Sequence, residues 1–402
     1  METASSQSSS HADRFRRGGV WCLMGLGLAV PLSTALSSAV LPLAALAAWL
    51  MAGGVFRLPA LVRSSPVAWS ALMLFLWLGL SVLYSSADWG SAVGSLNKYR
   101  DLLFIPVFMV LLSKARDRRK VHLALIAGLV ASMIVSYAQW FGWLPLNRGF
   151  PAPSSTITHS TFMVWLFFCL LWEVRVSGYS WLCYSGAALA VLNILFLGST
   201  TGYVLILAMG ALFAWQERGS RRIIPLLAAF VCLVAAGWFL IPEFKGELSQ
   251  NIHEANTLDA SKAGTGGLDK RVAFLSYTAG IVSEALLLGH GMGSFEGEYS
   301  QAVSGSGHPP TTNPHNEFAL TWAQAGVVGL GLLMSLLHAA WRTSALQSAP
   351  VNYMGRGFIL IFAVGCLFNS FLLDTKEGIL FALALALYCP ESKAGKLKKT
   401  SS

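Results

Sequence analysis

The sequence predicts an all-α polytopic integral membrane protein of about twelve transmembrane helices. Hydrophobic residues make up 55% of the 402 positions and charged residues only 12%. A water-soluble domain of that composition would leave far too much apolar surface exposed. The apolar residues are also gathered into runs near the length of about 20 that a spanning helix needs. Most connections between the runs are short, so consecutive helices pack as antiparallel neighbours, and one long polar connection stands apart.

In chain order, residues 1–18 are polar, Ser-rich and basic, and are expected as a disordered cytoplasmic tail. The apolar runs lie near 19–35, 36–56, 67–84, 100–113, 121–142, 157–173, 179–198, 200–216 and 222–241, giving nine helices over 19–241. A large loop covers 242–316, and three more runs, 317–341, 355–372 and 376–390, make helices ten to twelve within 317–390. Residues 391–402 form a second basic tail.

Lys and Arg collect in cytoplasmic loops. With the N-terminus inside, 20 of the 28 basic residues fall on inner segments, among them Arg14, Arg116, Arg119, Arg175, Arg342 and Lys399. Both termini then face the cytoplasm and the large loop faces outward, into the periplasm of a Gram-negative cell. The net charge of +9 is thus mostly topology, with some attraction to anionic membrane lipid, and calls for no nucleic-acid partner. All six cysteines fall in or at the ends of apolar runs, and no disulfide framework or metal-type spacing is visible.

The loop carries 4 basic against 8 acidic residues and four of the eight histidines, His253, His290, His308 and His315. Its 246–267 stretch, rich in Gly, Ser, Asn and Lys, reads as a mobile surface segment. From Leu268 to Leu288, the apolar residues Val272, Leu275, Ala279, Val282 and Leu286 recur at helical spacing, predicting an amphipathic helix on the membrane surface. Gly289-His290-Gly291-Met292-Gly293 ends that helix. No strand precedes this glycine run, so it is no dinucleotide fingerprint. A phosphate-loop lysine, a paired-histidine zinc helix and a nucleophile-elbow serine are equally missing from the sequence. The chemistry expected is metal-free, with no cofactor.

Asn313 is a good helix cap and Pro314 suits a first turn, so His315 and Asn316 are expected in the first turn of the tenth helix. Free backbone N–H groups there favour an anion over imidazolium. A neutral His315 beside an anion site is a candidate general base; the alternative is a capping histidine. Arg271, the loop's only arginine, could grip a phosphate in bidentate fashion or lie solvated at the interface. Lys98 and Arg100 form a second outward basic group, either a headgroup anchor or a phosphate clamp. Arg148 is a third outer arginine. His159, after a Pro- and Ser-rich turn, faces an outer cavity or packs internally. Asp374, Lys376 and Glu377 read as a solvated turn. Ionisable residues within the runs are scarce, which argues against an anion transporter.

Taken together, Arg271 opening a loop helix, Leu288-Gly289-His290-Gly291-Met292-Gly293-Ser294-Phe295, Pro314-His315-Asn316-Glu317-Phe318 and Ala325-Gly326-Val327-Val328-Gly329-Leu330 resemble the O-antigen ligases of the O-antigen ligase/polymerase superfamily. The resemblance is closest over about 197–332. It implies a GT-C-type helical membrane fold in the bacterial inner membrane. It also implies a glycosyltransferase that moves glycan from undecaprenyl pyrophosphate onto a sugar hydroxyl of lipid A-core at the periplasmic face. The resemblance makes His315 the residue that activates the acceptor and Arg271 the pyrophosphate ligand. Where the family often has an Arg-Thr-Gly-Tyr-like turn, this chain reads Ser199-Thr200-Thr201-Gly202-Tyr203, so Thr200 stands in place of an arginine. Donor binding would then lean on Lys98, Arg100 or Arg148, with Asn316, His159 and Thr200 as accessory candidates. A glycan polymerase and a protein O-oligosaccharyltransferase share these motifs.

Overall fold

The fold comes from a computed structural model that describes residues 2–147, 149–217 and 267–390, with scattered positions between 224 and 250. The described residues contain helices and no strand, only an isolated bridge between Asn147 and Phe150. The first half comprises α1 (Glu2–Ala29), α2 (Leu41–Met51), α3 (Leu58–Ser64), α4 (Pro66–Ser81), α5 (Trp89–Lys98), α6 (Asp101–Leu111) and α7 (Ala115–Trp140). There follow α8 (Thr156–Ser177), α9 (Ser180–Leu197) and α10 (Thr200–Gln216). The large loop contributes α11 (Gly267–Glu284) and α12 (Phe295–Ala302), and the chain ends on α13 (Glu317–Ala345), α14 (Val351–Gly365) and α15 (Thr375–Tyr388).

α1 begins inside the 1–18 segment expected as a tail, and Arg16 is buried there, donating to Asp117 Oδ2 at 2.7 Å and to the Leu111 carbonyl at 3.2 Å. The expected runs 222–241 and 246–267 and the tail 391–402 lie largely or wholly outside the described residues.

Twelve spans are not reached among the described residues, which leave out most of 218–266. Among the described residues, five helices are long and apolar enough to cross a membrane: Pro66–Tyr84, Ala115–Trp140, Thr156–Val176, Ser180–Leu197 and Glu317–Ala345. A sixth results if Leu36–Met51 and Gly54–Ser64, bent by 80° about the left-handed Gly53, count as one broken span. The discrepancy has a physical cause. α6 has 11 residues and α15 has 14, about 16 and 21 Å at 1.5 Å per residue, short of a hydrocarbon core of about 30 Å. Nearly every side chain of both helices is buried. They are apolar all round because protein surrounds them. The outward faces carry Leu76, Leu80, Ile134, Trp181 and Leu207 instead, a lipid-facing surface for a multi-pass membrane protein.

α15 gives the molecule two distinguishable ends. At its C-terminus the Tyr388 hydroxyl meets His122 Nδ1 at 2.7 Å, and His122 Nε2 meets Glu173 at 2.9 Å. Arg119 pairs with the same Glu173, and Arg175 pairs with Glu217 nearby on α8 and α10. The N-cap of α15, Asp374, therefore sits at the opposite end from this arginine-rich layer.

α13 is broken. Gly326 has φ 67° and ψ −171°, an opening that no side-chain-bearing residue adopts comfortably. The break releases carbonyls that the 286–293 loop uses: His290 N donates to Ala323 O and Gly291 N to Gln324 O, both at 2.9 Å. Val327 N in turn donates to Leu286 O at 2.9 Å, and Trp77 Nε1 to Ala325 O at 2.8 Å. Gly291, at φ 91°, passes so close to Ser85 that an added Cβ would lie 2.2 Å from its Cα. The glycine run is a packing seam between the large loop, the α4–α5 connection and the α13 break.

Candidate active site

The corner before α13 departs from the expected cap. Asn316, not Asn313, is the N-cap, accepting from Ala319 N at 2.9 Å. Asn313 closes a turn, its Oδ1 accepting from His315 N and from Ser370 Oγ, each at 2.8 Å. His315 thus precedes the helix instead of lying in its first turn, and its backbone is left-handed at φ 54°. The free N–H groups of the helix do not set its charge state.

A polar chain orients the ring instead. His315 Nδ1 lies 3.2 Å from Asn369 Oδ1, and Asn369 Nδ2 donates to Asp374 Oδ2 at 2.6 Å. An ionised carboxylate only accepts, so the Asn369 NH₂ must face Asp374 and its carbonyl oxygen must face the histidine. An amide oxygen also only accepts, so Nδ1 carries a proton, and in the neutral ring the lone pair is on Nε2. Burial pushes the Asp374 carboxyl up from its ordinary value, opposed by the Asn369 hydrogen bond and by the charges of His315 and Lys98. Asp374 and Lys376, expected in a solvated turn with Glu377, are instead half-buried and buried, and Glu377 is buried too.

The 366–374 turn is fastened to the start of α13 by several bonds. Glu317 N donates to Cys366 O at 2.8 Å, Asn316 Nδ2 to Leu367 O at 3.2 Å, and Leu372 N to Glu317 Oε2 at 2.9 Å. Glu317 Oε1 also accepts from the buried Tyr99 hydroxyl at 3.0 Å. This bond ties the Lys98–Arg100 corner to the His315 corner.

α11 closes the other side. The Phe274 ring lies 5.7 Å from the His315 ring, and one turn earlier the Arg271 guanidinium lies 5.7 Å from the Phe368 ring, next in sequence to Asn369. The structure thus brings Arg271, His315, Asn316 and Lys98 into one neighbourhood, together with Asn369, Asp374, Tyr99 and Glu317. α11 has one face turned into the protein and another turned away from it. Ala273, Thr278, Ile281 and Val282 pack inward, while Leu275, Ala279 and Leu286 are exposed.

The other candidates stand apart. Arg100 is spent on its surroundings, donating to Ser38 O at 2.8 Å and to Asn97 Oδ1 at 3.2 Å. His159 is fully buried in α8, its ring nitrogens met by Ser132 Oγ at 3.2 Å and Asn193 Oδ1 at 3.0 Å, the packed histidine of its bland reading. Thr200 opens α10, half-buried, beside the cap Ser199, which bonds Ser160 at 2.9 Å. Arg148 lies outside the described residues.

The sequence reading did not single out Asn369 and took Asp374 for a solvated turn. Their signal was a polar Asn-Ser and an Asp-Thr-Lys-Glu set between apolar runs, where ionisable groups are expensive unless they serve a site.

Residues 185–334 match the family model described as O-antigen ligase. The matched segment contains Thr200, Arg271, His315 and Asn316, whereas Lys98, Asn369 and Asp374 come from outside it. No curated protein matches the chain.

Proposed function

We propose that this chain, which matches the O-antigen ligase family model over residues 185–334, transfers an undecaprenyl-pyrophosphate-linked glycan onto a sugar hydroxyl of lipid A-core at the periplasmic face of the inner membrane. The observation that carries this reading is the Asp374–Asn369–His315 chain, which leaves His315 Nε2 as a proton acceptor one helix away from Arg271. His315 Nε2 takes the proton of the acceptor hydroxyl as its oxygen attacks the anomeric carbon. The carbon–oxygen bond to the diphosphate breaks, and the electron pair leaves with the lipid diphosphate. Arg271, assisted by Lys98, neutralises the charge that grows there. Attack opposite the leaving group inverts the anomeric configuration. The diphosphate is already a good leaving group, so the step asks the protein for one base and one cationic grip and for no metal or nucleotide.

The arginine-rich layer at the other end of α15 supports the sidedness, since basic residues mark the cytoplasmic face. A GT-C-type architecture is part of the same reading.

The test is a deletion strain complemented with wild type or His315→Ala. A lipopolysaccharide ladder restored by wild type alone, with lipid-linked polymer accumulating in the variant, is the expected result. An unchanged ladder in the deletion strain overturns the ligase. A core capped by single units marks a polymerase, and glycosylation lost from a protein marks an oligosaccharyltransferase.

A further inference from the structure

A second group of ligating side chains lies in the outer loop, apart from the His315 corner. Glu284 is the last residue of α11, His290 stands in the glycine-rich seam, and Glu298 lies in α12. One ligand atom from each falls within 4.8 Å of the others. We infer that these three residues form a divalent-cation site of the zinc class, which staples α11, the glycine seam and α12 into one unit.

The chemistry of His290 is the first ground. Its Nε2 lies 2.9 Å from the Ile281 carbonyl oxygen. A carbonyl only accepts, so Nε2 carries a proton and Nδ1 is the remaining lone pair. That lone pair faces Glu298 Oε1 at 3.5 Å. A positive charge between them, either a proton on Nδ1 or a metal cation, accounts for that separation, and the cation also accounts for Glu284 drawn up to both. A backbone carbonyl fixing the far nitrogen is also the usual support of a metal-bound imidazole.

Uncompensated charge is the second ground. Among the described residues, His290 is the only ion-pair partner of Glu298, and Glu284 has none. Glu284 moreover sits at a helix C-terminus, where the dipole disfavours a carboxylate. The surroundings are otherwise built. Ser86 Oγ donates to Glu298 Oε1 at 2.6 Å, and Ser86 N donates to His290 O at 2.9 Å. Geometry selects the ion class. Ligand bonds of about 2.0–2.1 Å in a tetrahedron give edges of about 3.4 Å, close to the 3.5 Å separation of Nδ1 and Oε1. One imidazole with two carboxylates suits zinc better than the all-oxygen cages of calcium or magnesium.

The test uses full-length protein in detergent, purified without a polyhistidine tag, stripped with a chelator and dialysed against zinc chloride. Bound zinc is counted by mass spectrometry and the unfolding midpoint is read with and without the metal. Wild type is expected to hold about one zinc per chain and to unfold at a higher temperature when loaded. Glu298→Gln and Glu284→Gln are each expected to weaken zinc binding about tenfold or more, with the metal-free midpoint unchanged. Glu284 is exposed, so its variant keeps the test valid should Glu298→Gln misfold. Wild type that retains no zinc overturns the site and leaves an imidazolium–carboxylate pair in its place. Zinc retained undiminished by both variants overturns it as well.

Discussion

His315 owes its tautomer to a residue that contacts it only through another. Asp374 holds Asn369, and Asn369 holds the ring. Because burial raises the Asp374 carboxyl above its ordinary value, it takes up a proton sooner than an exposed aspartate as the pH falls. Protonation gives Asp374 an O–H donor that can meet the Asn369 oxygen, so the orientation of Asn369 is no longer fixed and activity is lost on the acid side. The acid limb of log kcat/KM should therefore be steeper in wild type than in Asp374→Asn. The same substitution should lower the neutral-pH rate about tenfold, because the amide still accepts a hydrogen bond but no longer excludes the wrong orientation. His315→Ala removes the base itself, and transfer by purified protein should fall by about two to four powers of ten. Equal limbs in the two proteins would detach Asp374 from the chemistry.

Among the helices, α13 shows what the sequence displays and what it conceals. Its apolar run was plain, and so were α11 and the polar corner that opens at Asn313. The break at Gly326 was hidden, because a glycine within an apolar helix has many uses and only the approach of Leu287 reveals this one. A Cβ at Gly326 would lie 2.1 Å from Leu287 O, whereas one at Gly331 meets nothing within 4 Å. Gly326→Ala should thus cost about 2–3 kcal/mol or more, and Gly331→Ala should be neutral or stabilising by up to about 1 kcal/mol. Thermal unfolding of both variants in detergent checks the contrast. The Leu275, Ala279 and Leu286 positions of the predicted surface helix are exposed, as a helix lying on lipid would require. Asn369 was not singled out and Asp374 was read as solvated, because a polar turn between two apolar runs looks solvated until the α13 corner is seen folded over it.

Across the whole molecule, apolar composition identified a membrane protein, while among the described residues only five or six helices are long and apolar enough to cross a membrane, since short core helices such as α15 are as apolar as spanning ones. The two-ended arrangement yields a directional expectation. Single cysteines at Ser306, in the outer loop, and at Arg116, in the arginine-rich layer, are both exposed. In intact spheroplasts, with Cys232 replaced by serine, a membrane-impermeant maleimide should label Ser306→Cys. Arg116→Cys should react only after permeabilisation, and the reverse pattern would invert the topology.

The left-handed backbone at His315 implies a conflict between durability and work. At φ 54° a histidine sits in a region that costs most side chains about 1 kcal/mol or more, whereas asparagine tolerates it. A sequence chosen only for endurance would not keep an imidazole there. His315→Asn should unfold at a temperature no lower than wild type, measured by differential scanning fluorimetry, while abolishing transfer. Such a dead but sturdier protein would mean that this position accepts instability in exchange for its ring.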